Sequence, residues 1–191
     1  MKKITIIALI LACMLCSGCG TKEQGRVPLE ELPEDYSLEQ AKADGCVVFE
    51  DVDVSAGQEV WEAFVSDCAK GKSAGVRLYS YYTLDPERCT PEYYEAEKDN
   101  YPWAFIRDLS FDGEKYTIRH LSDGQEYVSE YEYLLRCEGE AESKTALYSS
   151  YVRYLLAHDE SVTWEEYFHG MVSSRLGDRI DADNVYTDLI Y

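Results

Sequence analysis

Two Asp-Gly pairs, Asp112-Gly113 and Asp123-Gly124, punctuate a run of alternating apolar and polar residues between Trp103 and Cys137. Asp-Gly supplies the positive φ angles of a two-residue type I′ turn, whose twist matches the strands it joins. The spacing predicts a three-strand antiparallel meander over residues 103–137. With two-residue loops, Leu109 stands opposite Tyr116, Phe105 opposite His120, His120 opposite Tyr127 and Tyr116 opposite Tyr131. One face then carries Trp103, Phe105, Leu109, Phe111, Tyr116, Ile118, Tyr127, Tyr131, Tyr133 and Leu135, and is expected to be core. The other carries Asp108, Ser110, Lys115, Thr117, Arg119, Glu126, Glu130 and Glu132, with Lys115 opposite Glu132 and Arg119 diagonal to Glu126 and Glu130. A slip of one residue would move the whole apolar set into water, so the pattern constrains register.

Arg107 and His120 fall on the apolar face. An unpaired buried guanidinium is very costly, so Arg107 is expected to meet an acid from a helix or the sheet rim, or else to bind an anion in a pocket. His120, between Phe105 and Tyr127, reads as a hydrogen-bonded core residue.

The flanking chain alternates short elements. Ser37 and Gln40 form a capping box that opens a helix ending at Gly45, and Cys46 to Phe49 reads as a buried strand. Ser55 is expected to cap a helix whose stripe is Val60, Trp61, Phe64 and Cys68. Val76 to Leu84 reads as a strand with Val76, Leu78, Ser80 and Tyr82 on one face and Arg77, Tyr79 and Tyr81 on the other. Thr90-Pro91-Glu92 opens a short helix, and Thr163 with Glu166 opens another through Met171. Residues 148–157 fit a strand better than a helix, and Gly177 to Tyr191 supports no assignment. The sum is an α+β domain: a mainly antiparallel sheet with helices packed on its aromatic face.

At 191 residues the chain suits one domain with a substantial core. Its first residues read as an export signal: Lys2 and Lys3 precede the apolar run from Ile4 to Leu15, which is too short to cross a hydrocarbon core of roughly 30 Å. Cys16-Ser17-Gly18-Cys19 follows. This N-terminus resembles the signal peptides of bacterial lipoproteins, although Cys16 stands where that family usually has Leu. The resemblance implies diacylglycerol on Cys19, cleavage before it, and anchoring by lipid at the extracytoplasmic face of the cell membrane. The other reading is an ordinary cleaved signal that releases a soluble protein. The expected division is a signal peptide over 1–18, a flexible tether over 19–36 and one acidic α+β domain over 37–191. Export permits disulfides among Cys46, Cys68, Cys89 and Cys137, whose pairing stays open.

A formal charge of −19 excludes general nucleic-acid binding, which needs Lys and Arg against phosphates. It also predicts repulsion from anionic lipid, so the covalent lipid is the expected hold on the membrane. Basic proteins, peptides, wall glycans or a cation remain as partners.

Asp51, Asp53, Ser55, Glu59 and Glu62 occupy positions 1, 3, 5, 9 and 12 of a calcium loop of the EF-hand type. Such a loop would offer Ca²⁺ hard oxygen ligands at alternate positions. Ala56 stands where that loop requires Gly, Gln58 replaces the apolar residue at position 8, and a capping box of Ser55 with Gln58 explains the same residues without metal. Asp178, Asp181 and Asp183 form a weaker acidic group. There is no G-x-S-x-G, no H-E-x-x-H and no Gly-rich phosphate loop; Cys89 with His158 or His169 is the one nucleophilic pairing to consider. The 17 tyrosines make recognition a second theme, with Tyr79 and Tyr81 on one strand face and Tyr93 and Tyr94 on the adjoining helix. The expected function is a membrane-tethered, non-catalytic binding or scaffolding module. A cell-envelope hydrolase is the alternative and a calcium-binding module the third reading.

Overall fold

The computed structural model describes residues 26–141, 143 and 145–191. The export signal and Cys19 lie outside the described residues. The elements are α1 (Leu38–Ala43), β1 (Val47–Glu50), β2 (Asp53–Ala56), α2 (Gln58–Cys68), β3 (Ala74–Tyr82), α3 (Pro91–Glu97), β4 (Trp103–Phe111), β5 (Tyr116–Ser122), β6 (Gln125–Tyr131), β7 (Tyr133–Glu140), β8 (Ser150–Ala157), α4 (Trp164–Val172) and β9 (Ala182–Ile190). Six strands form one sheet in the order β2-β1-β3-β4-β5-β6, and β7-β8-β9 form a second. The fold is α+β. The large sheet is mixed, because β1 and β3 pair in parallel, joined through β2 and α2; the other pairs in both sheets are antiparallel.

The main core lies between the large sheet, α2 and the second sheet. Trp61, Phe64 and Cys68 recur at helical spacing on α2 and meet Val47, Phe49, Val76, Leu78 and Leu109 from the large sheet. Trp61 stacks on Tyr186 of β9 with centroids 4.5 Å apart and meets Tyr154 of β8 edge-on at 5.1 Å. The opposite face carries a smaller core in which Ala41 of α1, with Cys46 just before β1, packs against Val48 and Tyr79. Strand alternation feeds both cores: Val76 and Leu78 point one way, Arg77 and Tyr79 the other.

Several expectations need correction. The second Asp-Gly turn is the predicted two-residue loop, with Ser122 paired to Gln125 and φ positive at both Asp123 and Gly124. The first is longer: Phe111 pairs with Tyr116, and Asp112 Oδ1 accepts from the backbone N–H groups of Glu114 and Lys115, each at 2.8 Å. Register therefore shifts by two, so Leu109 faces Ile118 and Arg107 faces His120. An even shift preserves which residues share a face. Between β5 and β6 the register is the predicted one, and Arg119 meets the diagonal Glu126 at 3.5 Å as expected, whereas Lys115 meets Glu130, 3.3 Å away, in place of Glu132. The meander also ends earlier than predicted. At Glu132 the chain leaves the large sheet, and Tyr133 to Cys137 belong to β7 of the second sheet.

Ser55 does not cap α2. The chain continues as β2 to pair with β1, Ser55 donates to the Val48 carbonyl at 3.5 Å, and Gly57 in the left-handed region is the N-cap residue. Residues 26–36, assigned to the tether, lie against the sheet: Leu29 is 6% exposed, and the Val27 carbonyl accepts from Arg77 at 2.8 Å. That segment covers part of the face expected to be wet. Beneath it Arg77, 3% exposed, makes a two-pronged pair with Asp108 at 2.7 Å on both prongs. The unassigned tail supplies β9, and residues 148–157 hold the expected strand. Cys46, Cys68, Cys89 and Cys137 are free thiols.

Candidate functional site

A cleft of about 730 Å³ opens where the β1–β2 end of the large sheet faces β8, β9 and α4. Its wall on the α4 side follows from sequence. Thr163 and Glu166 close the predicted capping box, and Trp164, Tyr167, Phe168 and Met171 then recur on one stripe of the helix. Only part of that stripe is covered. Trp164 lies under the Arg153 guanidinium, 3.7 Å from the ring centroid, whereas Phe168 and Met171 stay exposed in the cleft. Val52, Leu147 and Tyr191 add exposed apolar surface to the same lining.

The charges of the cleft are engaged. Arg107 donates to both carboxylate oxygens of Asp183, at 3.0 and 3.2 Å, and to the Asn184 carbonyl at 3.3 Å. This is the expected acid from the sheet rim. Glu50 is held below the usual carboxylate range, first by Lys42 at 2.7 Å and then by Ser55. Asp51 accepts from the Thr83 N–H at 2.8 Å and from the Thr83 hydroxyl. Asp53 accepts from the Tyr191 hydroxyl at 2.6 Å.

An aromatic row starts at the mouth of the cleft and crosses the large sheet. Tyr82, a cleft residue, stacks on Trp103 at 5.1 Å, and Trp103 on Phe105 at 5.8 Å. Phe105 meets His120 edge-on at 5.1 Å, and His120 stacks on Tyr127 at 5.1 Å. Pairing dictates these contacts: Tyr82 pairs with Trp103 and His120 with Tyr127, while Trp103 and Phe105 are alternate residues of β4. The apolar face of the meander was expected to be core along its length. Its inner half, from Leu109 to Ile118, is buried, but Trp103 is 51% exposed and Tyr127 45%. The core elements that cover the inner half leave this end open.

The row and the α4 stripe are exposed apolar surface that sequence reasoning did not single out. The strand residues of the row were correctly faced, with His120 as a polar exception, and α4 was expected only as a helix without a face; no local signal tells which part of a face will find a cover. Of the tyrosines expected to recognise a ligand, Tyr79 is 1% exposed and belongs to the smaller core, with Tyr81 stacked on it at 6.5 Å. That expectation is corrected for Tyr79, which α1 covers. Tyr93 is exposed and Tyr94 half-buried on α3, and neither lines the cleft.

The calcium-loop residues are divided between two elements. Asp53 and Ser55 lie on β2, Asp51 in the turn before it, and Glu59 and Glu62 on α2, where Glu62 accepts from Gln58 at 3.2 Å. Among the described residues no three acids, histidines or cysteines gather to hold a metal. Cys89 donates to the Asp85 carbonyl at 3.2 Å, His158 bonds Glu132 at 2.7 Å, and His169 sits in the last turn of α4. None of these three residues lines the cleft.

Comparison with known proteins finds no matching family model, no similar curated protein and no similar solved structure.

Proposed function

We propose that this chain is a non-catalytic binding module, held at the extracytoplasmic face of the membrane by lipid on Cys19, and that it takes a peptide or protein partner along the cleft and row. The observation that carries this reading is how the row's rings stand. Three of its four contacts join nearly parallel rings 5.1–5.8 Å apart, so each lies offset over its neighbour. Trp103 has two stacked neighbours, Tyr82 and Phe105. Sugars stack on open ring faces, whereas the electropositive ring edges suit carbonyl oxygens and the faces of incoming aromatics. The exposed Phe168, Met171 and Leu147 extend the same apolar chemistry into the cleft. A patch of this kind on an acidic surface marks an interaction site.

The test is an array of short random peptides probed with the full chain. Retention of a subset rich in aromatic and aliphatic residues, lost on Phe168→Ser or Trp103→Ala, is the expected result. No retained peptide, or retention that ignores both substitutions, would overturn the reading. A shift of tryptophan emission with soluble wall glycan and none with any peptide would replace it with a glycan site.

A further inference from the structure

The aromatic row ends on an open sheet edge. Among the described residues β6 is the last strand of the large sheet, and its ladder runs to β5 alone. The ladder is regular from Tyr116–Tyr131 to Ser122–Gln125, and Gln125 to Glu130 are all exposed. Such edges are commonly guarded by Lys, Pro or a bulge. β6 has no Lys, Pro or bulge, and its charges, Glu126 and Glu130, are both acidic and so oppose an acidic partner but not a basic one. By contrast β2, at the other edge, is only four residues long, has a register shift and touches β9.

Alternation divides β6 into two chemistries. Gln125, Tyr127 and Ser129 share the face of the row, which Tyr127 closes. Glu126, Val128 and Glu130 share the other face, where Arg119 and Lys115 approach the two carboxylates from the β5 side. Both carboxylates keep about half their surface open, 46% and 60%.

We propose that β6 is a docking edge for an extended basic peptide that adds a seventh strand to the sheet, a proposal that rests on the peptide-binding reading above. The added strand places an aromatic or aliphatic side chain beside Tyr127, lengthening the row, and Lys or Arg beside Glu126 and Glu130. Main-chain hydrogen bonds along the edge supply affinity, and the alternation of basic and aromatic residues supplies selectivity. Charge decides against a second copy of this chain. Antiparallel pairing of two β6 strands about Val128 would set Glu126 against the Glu130 of the other copy twice over, and like charges directly opposite destabilise a sheet. A formal charge of −19 on each copy adds to the repulsion.

The probes are a short peptide alternating Lys with Tyr and Phe, a peptide of the same composition with its Lys and its aromatics in separate blocks, and two N-methylated forms of the first. Each N-methylated form blocks one alternate set of N–H groups. Binding to the full chain is followed by tryptophan emission. The expected result is that one N-methyl set loses at least about tenfold in affinity, the loss of roughly two main-chain hydrogen bonds, while the other set binds as the parent does. The block peptide binds more weakly than the alternating one. Glu126→Lys with Glu130→Lys weakens the Lys peptide and strengthens its Glu counterpart, with an unchanged unfolding midpoint as the folding control. If the two N-methyl sets bind alike and the charge reversal has no effect, strand addition at β6 is wrong. Loss of binding on Phe168→Ser in that case would leave the peptide-binding reading standing in the cleft. Failure of every peptide, here and on the array, would remove both. A concentration-dependent dimer abolished by the charge reversal would overturn the proposal in favour of self-pairing.

Discussion

Arg107 of β4 and Asp183 of β9 tie the two sheets together, with guanidinium to carboxylate distances of 3.0 and 3.2 Å. Arg107 is mostly buried and its Nε makes no hydrogen bond among the described residues. Asp183→Ala would strand the guanidinium and is expected to cost about 1–3 kcal/mol, the penalty of an unsatisfied buried donor. Arg107→Met in the same chain should restore part of that loss, because it removes the orphaned charge. Urea unfolding of both single variants and the double variant measures the coupling. Additive losses would mean that the pair does not act as a tie.

Tyr131, the last residue of the meander, packs on His158 with centroids 5.0 Å apart, and His158 Nδ1 and Nε2 face Glu132 at 2.7 Å and Asp181 at 3.5 Å. Glu132, the first cause, and then Asp181 hold the imidazole pKa above its ordinary 6.5, while His158 holds the Glu132 carboxyl below its ordinary 4.5. The histidine contribution is full below the unfolded pKa and is lost as pH rises through the higher folded one. The Glu132 contribution is present above 4.5 and is lost as pH falls through its depressed folded value. Stability from this cluster is therefore greatest between 4.5 and 6.5 and declines above that window. Thermal midpoints across roughly pH 5 to 8 should fall more in the native chain than in His158→Gln; parallel curves would remove the cluster from the account.

Much of the large sheet was legible because a period of two survives an error of two. The first Asp-Gly turn is two residues longer than its dipeptide implies, yet Leu109, Phe111, Tyr116 and Ile118 still share the buried face. What could not be read was the cover. Tyr79 is core because α1 crosses its face, and Trp103 and Tyr127 are exposed because no described element covers theirs. β9 was unreadable for a different reason. A register shift between Tyr154 and Leu155 interrupts its pairing, so Val185 and Tyr186 are adjacent in sequence and both buried, which breaks simple alternation. The Ser55 cap failed because strand pairing with β1 outweighed a local hydrogen bond.

Gly57 joins β2 to α2 at φ 76°, and a Cβ there would collide with the Cys46 carbonyl oxygen. Neither problem is relieved by a side-chain movement, since both involve backbone. Gly57→Ala is therefore expected to destabilise the domain by at least about 1–3 kcal/mol, the range for a strained backbone position. Gly45→Ala is the control: φ is similar at 73°, but a Cβ there meets nothing within 4 Å. Comparison of the two denaturation midpoints separates clash from strain, and equal losses would show that the close approach to Cys46 is of no consequence.

Excess Ca²⁺ is expected to leave the unfolding midpoint where EDTA leaves it. The oxygens that would serve the loop are in use: Asp51 accepts from Thr83, Asp53 from Tyr191 at 2.6 Å, and Glu62 from Gln58. Ser55 donates to the Val48 carbonyl, and Ala56 continues β2 where a calcium loop would turn sharply at Gly. Gripping the ion would require β2 to leave β1 and Asp53 to release Tyr191. A ligand selective for the folded state stabilises it by about 2.7 kcal/mol at a hundred times its dissociation constant, so real binding would be plain in a melting curve. A rise with Ca²⁺ that disappears in Asp53→Ala would show that the β1–β2 hairpin opens to form the site. A rise that survives Asp53→Ala would place the ion elsewhere on this acidic surface.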